Sequence, residues 1–130
     1  MKNSEKELLS KELKEILTKV HGAINLIKDG KEIPTYNKLI GISQKIVASV
    51  TSLLEKKERD EEVAKVANEL NIVFNKVREA VNLIKAGREI ETYDGLVAIN
   101  GGLVNIIKEL FPDSQSNMAD VPDIEEKVEK

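Results

Sequence analysis

Apolar side chains recur along this chain at alternating three- and four-residue intervals. Leu9, Leu13, Ile16, Val20, Ala23 and Ile27 step in that way, as do Val63, Val66, Leu70, Val73, Val77, Ala80 and Ile84. Leu96, Ile99, Leu103, Ile106 and Leu110 form a third row. Such spacing paints one stripe along a helix of 3.6 residues per turn and suits near-parallel packing of bundle type. A further helix, from about Thr35, carries a broader set: Leu39, Ile40, Ile42, Ile46, Val47, Val50, Leu53 and Leu54. Leu17, Ile24, Phe74 and Val81 widen the first and third stripes. Each helix is too apolar to stand alone, so the pattern predicts an all-α four-helix bundle.

The chain also repeats. Asn25–Tyr36 returns 57 positions later as Asn82–Tyr93, with nine of twelve residues identical and Lys31 exchanged for Arg88. Over Val20–Glu55 against Val77–Pro112 there are 15 identities in 36. A duplication of this size means one supersecondary unit used twice. The bundle is therefore read as two tandem homologous antiparallel hairpins within residues 1–111. Repeat one spans about residues 4–57 and repeat two about 60–111.

Local signals place the boundaries. Ser4 followed by Glu7 fits a capping box. Gly30 and Gly87 suit the left-handed residue that ends a helix. Thr35 and Thr92, five residues on, are natural N-caps. Ile33 and Ile90 are expected to tuck under the turn, with Tyr36 and Tyr93 covering the bundle end. The shared N-L-I-K-x-G-[KR]-E-I-x-T-Y motif thus reads as hairpin chemistry. Asn25 and Asn82 are expected to hydrogen-bond to the turn, or to form a buried pair that fixes register. Between the hairpins, the charged run Glu55–Glu62 predicts a tight turn near Lys57–Arg59. The alternative is one long helix that exchanges hairpins between two chains.

Composition narrows the chemistry. The chain has no cysteine and one histidine, which removes disulfides and argues against a zinc site. Its net charge is −3, concentrated in residues 112–130: six acidic against two basic side chains. That segment is polar and proline-bounded, and is expected to be a disordered acidic tail. The first 111 residues carry 18 basic and 17 acidic groups. So near-neutral a body offers little attraction to DNA or RNA, and its four aromatics sit in no basic cluster. No apolar run approaches the roughly 20 residues needed to span a bilayer. With a polar N-terminus, a cytoplasmic location follows unless the chain belongs to a particle. The Lys/Glu/Ile-rich balance is of heat-adapted type, although ten asparagines run against it.

No catalytic, metal-binding or cofactor-binding constellation emerges. His21 has Arg78 as its counterpart, which marks a solvated face. Glu-x-x-His pairs, phosphate loops and nucleophile elbows are missing. The least expected feature is a run of small residues in the fourth helix: Gly95, Ala98, Gly101 and Gly102. Each interior glycine costs about 1 kcal/mol against alanine. Two accounts stand: close helix approach inside the bundle, or a docking face for another protomer or partner.

Across Ser4–Phe111, and in its two N-L-I-K-x-G-[KR]-E-I-x-T-Y hairpins, the chain resembles the four-helix-bundle virion proteins of archaeal viruses. It looks like the structural protein of a two-tailed virus that infects hot-acid archaea. That resemblance implies a non-enzymatic structural part, located in the virion and acting through protein–protein contacts. It carries over no functional residue. The alternative expectation is an intracellular adaptor or regulatory bundle that binds one partner helix.

Overall fold

A computed structural model of the chain describes residues 1–55 and 60–111. It is an all-helical four-helix bundle: α1 (Asn3–Lys28), α2 (Glu32–Leu54), α3 (Glu61–Lys85) and α4 (Glu89–Leu110). Helices adjacent in sequence pack side by side, and α4 closes the ring against α1. Short links make these neighbours antiparallel. Diagonal helices, α1 with α3 and α2 with α4, therefore run parallel. Both hairpin turns lie at one end of the bundle.

The aliphatic rows meet at the centre. Every residue of the three single stripes is buried, from Leu9 on α1 to Leu110 on α4. The only polar side chains buried with them, among the described residues, are Ser10, Thr35, Ser49 and Thr92. None of these is ionisable. A buried aliphatic side chain contributes roughly 1.5–3 kcal/mol, so this interior dominates the stability.

The broad pattern of α2 resolves into two faces. Leu39, Ile42, Ile46, Val50 and Leu53 are buried, whereas Val47 and Leu54 are exposed and Ile40 is half-buried. The apolar letters alone merged an inner stripe with an outer one.

Both turns are built alike. Gly30 and Gly87 have φ of 75° and 76°, the left-handed region that glycine enters without penalty. The Gly30 N–H donates to the Ile27 carbonyl, and the Lys31 N–H to the Leu26 carbonyl. Gly87 and Arg88 repeat this with Ile84 and Leu83. These paired bonds satisfy the last carbonyls of α1 and α3 in a Schellman arrangement.

Three boundary expectations need correction. Thr35 and Thr92 are not N-caps, because α2 and α4 start three residues earlier, with Lys31 and Arg88 at the caps. Each threonine sits fully buried in the first turn. Its hydroxyl donates back to the cap carbonyl, at 2.6 Å for Thr35 and 2.8 Å for Thr92. Pro34 fits because first-turn N–H groups lack helical partners anyway. Ile33 and Ile90 do not tuck under the turn, since the earlier helix starts point them outward at 75 % and 79 % exposure. The first helix begins at Asn3, not at a Ser4 cap, and the Lys2 N–H donates to Glu5 at 2.9 Å.

α2 and α3 are separate helices, so no long continuous helix joins the repeats. Asp60 caps α3 by accepting from the Val63 N–H at 2.9 Å. The predicted turn near Lys57–Arg59 and the acidic tail at 112–130 lie outside the described residues. The N-terminal amine of Met1 pairs with Asp60 at 2.7 Å and Glu62 at 3.0 Å, tying the start of α1 to that of α3.

Replacing Gly30 or Gly87 with alanine forces a Cβ into the left-handed region. Each change is expected to lower unfolding free energy by about 1–2 kcal/mol, measured by urea denaturation.

Candidate functional site

The turn end gathers most residues of the repeated motif. Glu32 and Glu89, in the first turns of α2 and α4, reach across to the opposite hairpin. An alanine Cβ at Gly87 would lie 4.0 Å from the Glu32 carboxylate, and one at Gly30 3.9 Å from that of Glu89. The two turns are thus reciprocal neighbours under the pseudo-two-fold. Tyr36 and Tyr93 are half-buried and pack on the core, as their role at the bundle end requires. Tyr36 lines an open recess of about 370 Å³ with Glu32, Ile33, Ile84, Lys85 and Gly87. Asn25 and Asn82 are exposed, which excludes the buried pair. What each gives its turn is a backbone carbonyl, accepting from Asp29 and Ala86.

The small residues of α4 do not share one face. An alanine Cβ at Gly95 would meet Ala80 at 3.7 Å, and one at Gly102 would meet Val73 Cγ2 at 2.9 Å. Both glycines therefore let α3 and α4 approach closely. Ala98 is exposed, and Gly101 has open space around it. The docking face of four small residues thus divides: two serve internal packing and two look outward.

A different outward feature emerges instead. On α2, Ile33, Ile40, Val47 and Leu54 follow at intervals of seven alongside the buried stripe. Ile33, Val47 and Leu54 are exposed at 75 %, 46 % and 45 %. Adding 57 to each number gives Ile90, Val97 and Val104 on α4 and Phe111 just past its end, apolar again, although Val104 and Phe111 pack against the core. Ile90 is exposed and the other three are half-buried. Neighbouring exposed positions have diverged: Gln44 against Gly101, Ser52 against Glu109. The lone exposed residues Leu8 and Ile72 have charged counterparts, Lys65 and Glu15. The seven-residue rows are kept apolar in both halves, as are the half-buried pairs Leu26 with Leu83 and Tyr36 with Tyr93. The signal of the rows was present in the sequence, as heptad spacing repeated at the duplication distance.

Polar clusters are few. His21 is half-buried on α1 and Arg78 exposed on α3. Glu69 on α3 is half-buried, with Oε1 fully shielded. Burial raises its carboxyl above the ordinary glutamate value, the adjacent Glu109 raises it further, and Lys65 opposes both. Asp60 and Glu62 are lowered, first by their bonds to the Met1 amine. Among the described residues no group of three or more His, Asp or Glu side chains gathers as metal ligands. No described helix is long and apolar enough to cross a membrane.

Two predictions follow from this geometry. Gly101→Ala is expected to raise stability by up to about 1 kcal/mol through helix propensity. Gly102→Ala is expected to lower it, because Val73 is stiff at χ1 and overpacking costs roughly 1–3 kcal/mol. Thermal melts of the two variants make the comparison. Separately, a raised folded-state carboxyl binds its proton more tightly than the unfolded chain does. Its contribution to stability therefore falls as pH rises through the raised value. Glu69→Gln should melt higher than the parent at pH 7, and that gain should vanish as pH drops into the ordinary glutamate range.

No protein-family model, curated protein or solved structure matches this chain.

Proposed function

We propose that this protein is a non-enzymatic structural component, a virion or assembly part that works through contacts between protein surfaces. The observation that carries this reading is the contrast between interior and exterior. The interior is aliphatic, with no ionisable side chain buried among the described residues. General acid–base or nucleophilic chemistry needs such groups held in a shielded site. The exterior keeps two apolar rows through a duplication that altered most other outward positions. A contiguous apolar patch left exposed marks a surface that meets another protein, a membrane or a ligand. The resemblance to archaeal virion bundles, and a heat-adapted composition, give the virion its place in this proposal.

The recess beside Tyr36 favours a second reading, an adaptor that accepts one partner element at the bundle end. Its apolar contribution comes from Ile33, Tyr36 and Ile84.

Light scattering of the purified chain over rising concentration separates the two. An assembly component is expected to gain mass steadily as concentration rises. A strict monomer at every concentration contradicts assembly of this chain with itself and leaves the adaptor reading.

A further inference from the structure

We infer that Glu69 and Glu109 form an acid-closed latch between α3 and α4, sharing one proton across the helix interface and repelling each other once that proton leaves.

The register of the second hairpin brings the two side chains together. Gly102 lies against Val73, so α3 and α4 are level at those residues. Glu69 stands one turn before Val73 on α3, and Glu109 two turns after Gly102 on α4. The helices are antiparallel, so both steps lead toward the end of the hairpin away from its turn. A helical side chain leans toward the N-terminus of its own helix, so Glu69 and Glu109 lean toward each other. Lys65, one turn before Glu69, reaches the Glu109 carboxylate at 3.6 Å and so holds it beside α3.

What the pair lacks is a donor. Glu69 Oε1 is shielded from water and accepts from no group. The first hairpin shows what a donor at this place looks like. Glu12 is the counterpart of Glu69, and the Ser49 hydroxyl donates to it at 3.4 Å. In the second hairpin Ile106 stands in place of Ser49, and Glu109 in place of Ser52. Two hydroxyls have given way to an aliphatic group and a second acceptor. Two carboxylates join only through a proton, and a shielded acceptor left without one is costly.

The surrounding charges leave that proton its role. On α2, the other neighbour of α3, the charged side chains between Ile33 and Leu54 are Lys38 and Lys45. Lys38 lies against Gly22 and Lys45 beside Glu12 and Glu15, all on α1. On α3, Glu62 is held by Lys6 and the Met1 amine, and Lys76 lies two turns beyond Glu69. On α4, Lys108 precedes Glu109 and is exposed. Lys65 is itself 64 % exposed, so solvent screens its charge. Burial raises the Glu69 carboxyl above the ordinary glutamate value, and Glu109 raises it further. The stability contributed by the closed latch is therefore fully present below the ordinary glutamate range. It is lost as pH rises through the raised value.

Amide hydrogen exchange, corrected for intrinsic rates, reads how firmly the last turn of α4 is held. Thr51, Ser52 and Leu53, at the matching end of α2, serve as the internal control. From pH 7 to pH 4, protection of Lys108, Glu109 and Leu110 in the parent is expected to rise several-fold relative to that control. Glu109→Gln places an amide donor where the proton would sit, at a side chain already 40 % exposed. Its last turn is expected to hold equally at both pH values. The Glu69 carboxyl carbon, followed by NMR, is expected to titrate lower in Glu109→Gln than in the parent. A parent whose α4 protection does not change with pH overturns the latch. A Glu109→Gln variant that keeps the parent's pH response, or leaves the Glu69 titration where it was, overturns the pairing and leaves burial alone as the cause.

Discussion

Burial of four aliphatic helix rows against one another is the constraint from which the rest of this structure follows. Isolated helices of this length are marginal in water, and their stability comes from packing an apolar face. Once Leu13, Leu39, Leu70 and Leu96 share one interior, the chain order and short links leave a ring of antiparallel neighbours. The turns need a left-handed residue at one point each, and glycine supplies it twice. Even the costly glycines of α4 answer to this packing, since Gly95 and Gly102 let α3 come near.

The same constraint shapes what the molecule can do. The interior holds no buried ionisable side chain among the described residues, and what differs between the halves is clearest at the surface. There the duplication acts as an internal comparison. Two halves that share an ancestor but not a present sequence show which outward positions drifted. Gln44 and Ser52 drifted, whereas the rows through Ile33 and Ile90 stayed apolar. Isoleucine stands at 75 % exposure in one half and 79 % in the other.

Much of the fold was legible because helical periodicity speaks directly of which side is buried. The stripes of α1, α3 and α4 read correctly for that reason. α2 misled because a run dense in apolar letters contains two periodic rows, and composition cannot say which faces inward. Thr35 and Thr92 misled in another way. Threonine after a glycine turn signals a cap, yet the Schellman turn closes so tightly that helix resumes before the threonine arrives. Its buried hydroxyl then bonds the cap carbonyl from within. The small residues of α4 could not be sorted from sequence, because their reason lies on another helix: Val73 for Gly102 and Ala80 for Gly95. The outer rows went unread although the cue was there.

Alanine substitution at paired inner and outer positions of α2 and α4, read by urea unfolding, tests the central claim most directly. Leu39→Ala and Leu96→Ala remove fully buried side chains and are predicted to cost about 2–5 kcal/mol each. Ile33→Ala and Ile90→Ala, on the outer rows, are predicted to change stability by less than about 0.5 kcal/mol. Comparable losses at all four positions would show that Ile33 and Ile90 belong to the core, and would contradict a bundle with one buried interior and these two side chains held in water.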